Sequence, residues 1–133
     1  MKLTRASDFA VRILNHLAGQ EGEATSRDLS RKLHIPYNHL AKVVQKLSRG
    51  GYLKTKKGKG GGIELACDPK TVDLYQVIEL VEGPLHLSHC ILHRKSCAFS
   101  RNCGLRRTLA LAEQTLKKTL ASRTIYDLAA GAI

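Results

Sequence analysis

The sequence predicts a mainly α-helical chain with a small β-hairpin, arranged as a winged helix-turn-helix domain plus a long C-terminal dimerisation helix. Three observations carry that prediction. Amphipathic helical stripes succeed one another as far as Arg49; the hydrophobic period then shifts to alternation on either side of a glycine-rich tip; and apolar residues recur at helical spacing from Leu105 to Leu120. The 133 residues make room for one domain of ordinary size.

The first helix is expected from Thr4 to Ala18, where Ala10, Ile13, Leu14 and Leu17 form one apolar stripe before Gly19 and Gly22 break the pattern. Thr25, with Asp28 three residues on, reads as a helix start. A short second helix then spans Ser26 to Leu33 and sets Leu29 and Leu33 on one side. His34 and Ile35 make a tight connection, and Pro36 suits the first turn of a third helix because its missing N–H costs nothing there. That helix continues to Arg49 with Leu40, Val43, Val44 and Leu47 as its core stripe. Its other face carries Asn38, His39, Lys42, Gln45, Lys46 and Arg49.

Gly50 and Gly51 end the helix, and Tyr52 to Lys56 and Ile63 to Ala66 read as the two strands of a wing around the tip Lys57 to Gly62. Leu74, Val77, Ile78 and Val81 mark a supporting helix closed by Gly83 and Pro84. The winged domain thus covers residues 1–84. A cysteine-bearing segment occupies 85–104, the long helix 105–122, and a C-terminal tail 123–133. On the long helix Leu105, Leu109, Ala112, Leu116 and Leu120 form an apolar seam that needs a cover, which a second copy of the chain would supply.

Charge indicates the partner. Lys plus Arg number 22 against 11 Asp plus Glu, a formal charge of +11, which makes a polyanion the expected ligand. From Leu29 to Ile63 there is no Asp or Glu, while nine Lys or Arg fall in those 35 residues. A hydrophobic fraction of 43 % excludes a disordered basic tail, and aromatics at 5 % with no Trp argue against single-strand recognition by stacking. No apolar run reaches the roughly 18 residues of a membrane span. Arg12 interrupts the apolar stretch Phe9 to Leu17, so a signal-peptide core is missing as well and a cytoplasmic location is expected.

Double-stranded DNA follows from shape, because a helix about 10–12 Å wide fits the major groove. The expected contacts are Thr25 and Ser26 at the start of the second helix and Pro36, Tyr37, Asn38, His39 and Lys42 at the start of the third. Asn38 is the best base reader, since an amide pairs bidentately with adenine. Lys46, Lys57 and Lys59 are expected on phosphates. A dimer would read a near-palindromic operator. No Cys-x-x-Cys pair, nucleophile elbow or nucleotide-binding fingerprint is present, so an enzyme is not expected.

Four cysteines remain. Cys67 stands alone at the end of the second strand and reads as a small packed residue. Cys90, Cys97 and Cys103 share one segment, with six and five residues between them. Thiolates are the natural ligands of iron–sulfur clusters, whereas closer spacings are commoner for structural zinc. His86, His89 and His93 lie in the same segment and would complete a zinc site, so the residues alone leave both metals open. Asp8, four residues before Arg12, suits a surface ion pair near a helix N-terminus.

Met1-Lys-Leu-Thr, Ile35-Pro-Tyr-Asn-His-Leu, Gly58-Lys-Gly-Gly-Gly-Ile and the run Cys90…Cys97…Cys103 followed by Leu105-Arg-Arg carry a family resemblance. Over essentially the whole chain the sequence resembles the Rrf-type winged-helix regulators that bind iron–sulfur clusters, and among them the branch that senses nitric oxide. The resemblance implies a homodimeric repressor with a cluster, 4Fe–4S rather than 2Fe–2S, held by Cys90, Cys97, Cys103 and by Asp8 from the partner subunit. It also gives Arg12 a place as the switch partner that takes Asp8 when the cluster is lost. Other members place a histidine ligand three residues after the third cysteine, where this chain has Arg106, and Gly104 stands where the nitric-oxide branch usually has arginine. The alternatives are a regulator reporting general redox or cluster status through a 2Fe–2S centre, and a zinc-stabilised DNA-binding protein with no sensing role.

Overall fold

Glycine breaks between amphipathic stripes yield, in chain order, α1 (Arg5–Ala18), α2 (Ser26–Leu33), α3 (Tyr37–Arg49), β1 (Leu53–Thr55), β2 (Ile63–Leu65), α4 (Leu74–Glu82), α5 (Gly104–Ala121) and α6 (Ile125–Ala129). This is a winged helix-turn-helix with a long C-terminal helix. The computed structural model describes residues 3–20, 22–58, 61–88, 97 and 102–131.

The centre is α1, which packs against α3, α4 and α6 and carries Ala10, Ile13 and Leu14 almost fully out of water. Leu29, Leu40, Leu47, Val77 and Ile125 close the core around it. Its start is clasped to the end of α4. The Thr4 backbone N–H (2.8 Å), the Thr4 hydroxyl (2.6 Å) and the Ser7 hydroxyl (2.5 Å) all donate to one oxygen of Glu82. Burial by itself would raise the Glu82 carboxyl, but the hydrogen bonds from Ser7 and Thr4 outweigh it and hold it below the usual carboxylate range. Gly83 then leaves α4 at φ +83°, a conformation that side chains rarely adopt.

The turn between α2 and α3 is locked from both directions. His34 adopts φ 53°, which His tolerates better than most residues. The Ile35 N–H donates to the Ser30 carbonyl at 3.0 Å, and the Ser30 hydroxyl donates back to the Ile35 carbonyl at 2.7 Å. Pro36 is the N-cap of α3, one residue earlier than its expected place in the first turn. The wing pairs antiparallel with Leu53 opposite Leu65 and Thr55 opposite Ile63, and Ala24 bridges to Ile63 from the far side.

Two expectations change at the C-terminal end. Where a tail was expected over 123–133, residues 124–129 fold into a capped turn of helix: Thr124 and Asp127 form a reciprocal capping box, and Ile125, 1 % exposed, plugs the core of the winged domain. The Ile125 N–H donates to Val72 and the Leu74 N–H to Arg123, each at 2.9 Å, so the end of α5 is fastened to the segment leading into α4.

The seam on α5 also differs. Leu109, Leu116 and Leu120 are half-buried within the chain, while Leu105 and Leu111 are each 65 % exposed. The uncovered strip runs along Thr108, Leu111, Ala112, Thr115 and Thr119. The hydroxyls of Thr108, Thr115 and Thr119 donate to the carbonyls four residues back, which leaves their methyl groups to form an apolar surface.

Candidate functional site

The exposed side of α3 is a ridge of Asn38, Lys42, Gln45 and Arg49, at spacings of four, three and four, diametrically opposite Leu40, Val43, Val44 and Leu47. Gln45 and Arg49 were visible in the sequence as part of a polar face, but only the helix geometry sets them on the same line as Asn38 and Lys42. Tyr37 lies on one flank, 53 % exposed, and faces the wing across a cleft of about 390 Å³ that Ser26, Lys57 and Gly58 also line. His39 lies on the other flank, its ring edge-on to Phe9 of α1 with centroids 6.2 Å apart.

The structure redistributes the cations. Lys57 is exposed at the wing, whereas Lys56 is paired with Glu23, which raises its pKa. Lys46, expected on a phosphate, is exposed but already has a partner within the chain. Its ammonium donates to the Val81 carbonyl at 2.9 Å, near the C-terminal end of α4, where a helix favours positive charge. Thr25 is exposed and caps α2: its hydroxyl accepts from the Asp28 N–H (3.1 Å) and donates to Asp28 Oδ2 (2.6 Å). That bond, first among several cationic and backbone contributions, holds the Asp28 carboxyl below its usual range. Thr25 thus positions α2, and Ser26 lines the cleft. Lys59 lies outside the described residues.

The wing tip depends on close backbone approach. A Cβ on Gly61 would stand 2.3 Å from the Lys56 carbonyl oxygen and 2.8 Å from that of Gly58. The turn is closed there by Gly61 N–H to Gly58 and Lys56 N–H to Gly62, both at 2.9 Å. No side chain fits at that position without opening the tip.

The metal candidates are divided. Cys97 and Cys103 are half-buried free thiols; Cys90 lies outside the described residues, as do His89 and His93. Cys103 is the N-cap residue of α5, yet its side chain makes no capping bond and is left to other use. Among the described residues no three His, Cys, Asp or Glu side chains come together. Asp8 sits half-exposed on α1 in a two-pronged pair with Arg12, with Nε to Oδ1 at 3.0 Å and Nη2 to Oδ2 at 2.9 Å. The donor set suits an iron–sulfur centre better than a hard cation, since its uncommitted members are thiols. Cys67 packs at the edge of the core, Sγ 3.7 Å from the Tyr52 carbonyl, and burial pushes its thiol up.

One residue that periodicity passes over is Glu113, which occupies the covered face of α5 and is 7 % exposed. It meets Lys117 (2.9 Å), the Leu87 N–H (3.3 Å) and His86 Nδ1 (3.5 Å). The hydrogen bond from Lys117 leads the effects that hold its carboxyl below the usual range. An acidic residue inside a helix full of basic ones reads as surface charge unless the neighbouring segment is known.

Comparison with known proteins supports the architecture. Residues 3–131 match the Rrf2 family model, described as an iron-dependent transcriptional regulator. The HTH-type transcriptional regulator NsrR of Bacillus subtilis is 34 % identical over 131 residues, covering 96 % of this chain and 90 % of that protein. Among solved structures, CymR, the global cysteine regulator of B. subtilis, superposes with a TM-score of 0.81 at 21 % identity over 100 % of this chain and 99 % of its own. IscR of T. potens does so at 0.79 and 18 % identity, over 100 % of this chain and 89 % of its own. Among the described residues no helix is long and apolar enough to cross a membrane.

Proposed function

Because the chain belongs to the Rrf2 family of transcriptional regulators, we propose that it represses by binding a near-palindromic DNA operator as a homodimer in the cytoplasm, under the control of an iron–sulfur cluster and nitric oxide. The observation that carries the DNA reading is the ridge Asn38, Lys42, Gln45 and Arg49 beside the wing, in a stretch from Leu29 to Ile63 without one carboxylate. Asn38 reads a base edge with Lys42 beside it; Lys57 and Lys59 meet phosphates. Pro36, Tyr37, Ser26 and His39 shape the approach. The apolar strip of α5 is the surface that a second subunit covers.

A 4Fe–4S cluster held by Cys90, Cys97, Cys103 and the partner subunit's Asp8 would supply iron open to nitric oxide. The thiols of Cys97 and Cys103 support that reading, together with the resemblance of the cysteine run. Arg12 provides the resting place for Asp8 once it is released, in the two-pronged pair described above. Both side chains of that pair are about half exposed, so it contributes at most about 1 kcal/mol and yields readily to a metal. Phe9, the next residue, touches His39, so α1 reaches the first turn of the reading helix from the same place.

The test is anaerobic purification with iron and sulfide analysis, an absorption spectrum, and titration with nitric oxide in the presence of operator DNA. Iron and sulfide in the protein, with DNA released as nitric oxide is added, are expected; Asp8→Ala should blunt the response. A colourless zinc protein, or operator affinity indifferent to nitric oxide, overturns the sensor and leaves a basic groove-binder.

A further inference from the structure

We infer that Glu113 is a positioning residue for the cysteine-bearing segment, anchoring its start to the same helix whose N-cap is Cys103. The inference rests on the proposed reading of that segment as the cluster holder. A carboxylate buried without partners loses its hydration with nothing in return, so its presence at 7 % exposure on a packed helix face requires compensation. The compensation here includes more than the Lys117 pair one turn away. Glu113 Oε2 accepts the backbone N–H of Leu87, 26 positions distant in the chain, and Oε1 faces His86 Nδ1.

An apolar residue at position 113 would leave the Leu87 N–H without its acceptor. Leu85, 4 % exposed, already sinks the chain into the core just before this point. Glu113 therefore fixes the backbone at Leu87, three positions before Cys90 in the sequence. Cys103 lies ten residues before Glu113, about 15 Å along the helix at 1.5 Å per residue. Both ends of the cysteine segment are thus held on one rod, which lowers the entropy lost when three thiolates gather on one centre.

The experiment compares wild type, Glu113→Ala, Glu113→Gln and Lys117→Gln. Hydrogen exchange at the Leu87 amide is measured in metal-free protein, and the rate of iron loss to a chelator in protein reconstituted anaerobically with ferrous iron and sulfide. Glu113→Ala should speed Leu87 exchange about tenfold, the scale of one lost hydrogen bond, and speed iron loss several-fold. Glu113→Gln keeps an acceptor oxygen and should restore most of both; Lys117→Gln should leave both near wild type. Should Glu113→Ala fail to fold, Glu113→Asp, one methylene too short to hold Leu87, takes its place with the same expectation. Faster exchange with unchanged iron loss reduces Glu113 to packing and overturns the inference while sparing the cluster. Wild-type protein that takes up no iron overturns the cluster reading and this inference with it.

Discussion

Helices α3 and α5 are built on the same amphipathic principle and resolve it in opposite ways. The stripe of α3, Leu40, Val43, Val44 and Leu47, is buried within its own chain, and the residues left outside are Asn38, Lys42, Gln45 and Arg49. Helix α5 runs for 18 residues, buries Glu113, and leaves Leu105 and Leu111 in water. The first helix is complete in one chain. The second presents an apolar strip that only another surface can cover. A reader of DNA must be rigid before it meets its ligand, whereas a helix that joins subunits, as proposed for α5, must keep its best side for the partner.

The largest effect that would test this contrast comes from truncating one leucine on each helix. Leu40→Ala should lower the unfolding free energy by about 2–5 kcal/mol, the usual range for a fully buried leucine. Leu111→Ala should change the unfolding of dilute protein by less than about 0.5 kcal/mol, as surface substitutions do, yet raise the dimer dissociation constant. Denaturant titration and sedimentation measure the two. Equal losses of folding stability at both sites would mean that α5 is covered within its own subunit.

The same contrast explains what the sequence disclosed. The elements of the winged domain were legible because each is amphipathic over its own length and is punctuated by Gly50, Gly51, Gly83 or Pro36. The exposed strip of α5 was not. Thr108, Thr115 and Thr119 count as polar in any one-dimensional pattern, and only their bonds to the carbonyls of the preceding turn convert them into methyl surface. Ile125 was missed because five helical residues are too few to show a period. Among the expected contact residues, Asn38 and Lys42 stand on the ridge, whereas Lys46 and Thr25 also have partners within the chain, Val81 and Asp28. Cysteine spacing suggested the ligands of a metal; the anchor at Glu113 depends on a contact with Leu87 that no spacing encodes.

A smaller effect is expected at the clasp between α1 and α4. Glu82 titrates lower in the folded chain than in the unfolded one, because Ser7 and Thr4 prefer its charged form against the opposing effect of burial. A depressed folded pKa contributes stability that is present above the ordinary glutamate value, about 4.3, and is lost as pH falls through the folded value. Ser7→Ala should therefore cost about 1 kcal/mol near neutrality, the net worth of one such hydrogen bond, and less once Glu82 is protonated. Unfolding curves between neutral and strongly acidic pH measure this. A deficit that stays constant across that range would assign the loss to packing of the buried Ser7.

The smallest effect separates two lysines that look alike in the sequence. Lys57 is exposed on the wing, while Lys46 is tied to the carbonyl of Val81. If Lys57 holds a phosphate, Lys57→Ala should reduce the slope of log affinity against log salt by about 0.9, with equal weakening on operator and random DNA. Lys46→Ala should alter the slope by less than that and instead destabilise the fold by about 1 kcal/mol, since it removes a hydrogen bond from a charged donor. The pair of slopes is informative because both variants remove one positive charge from the same basic face. A general loss of field would lower both alike, and only a difference in where each ammonium is held can divide them. Equal slopes would show that Lys46 leaves Val81 when DNA is bound, and the reading surface would then extend across the α4 flank of α3.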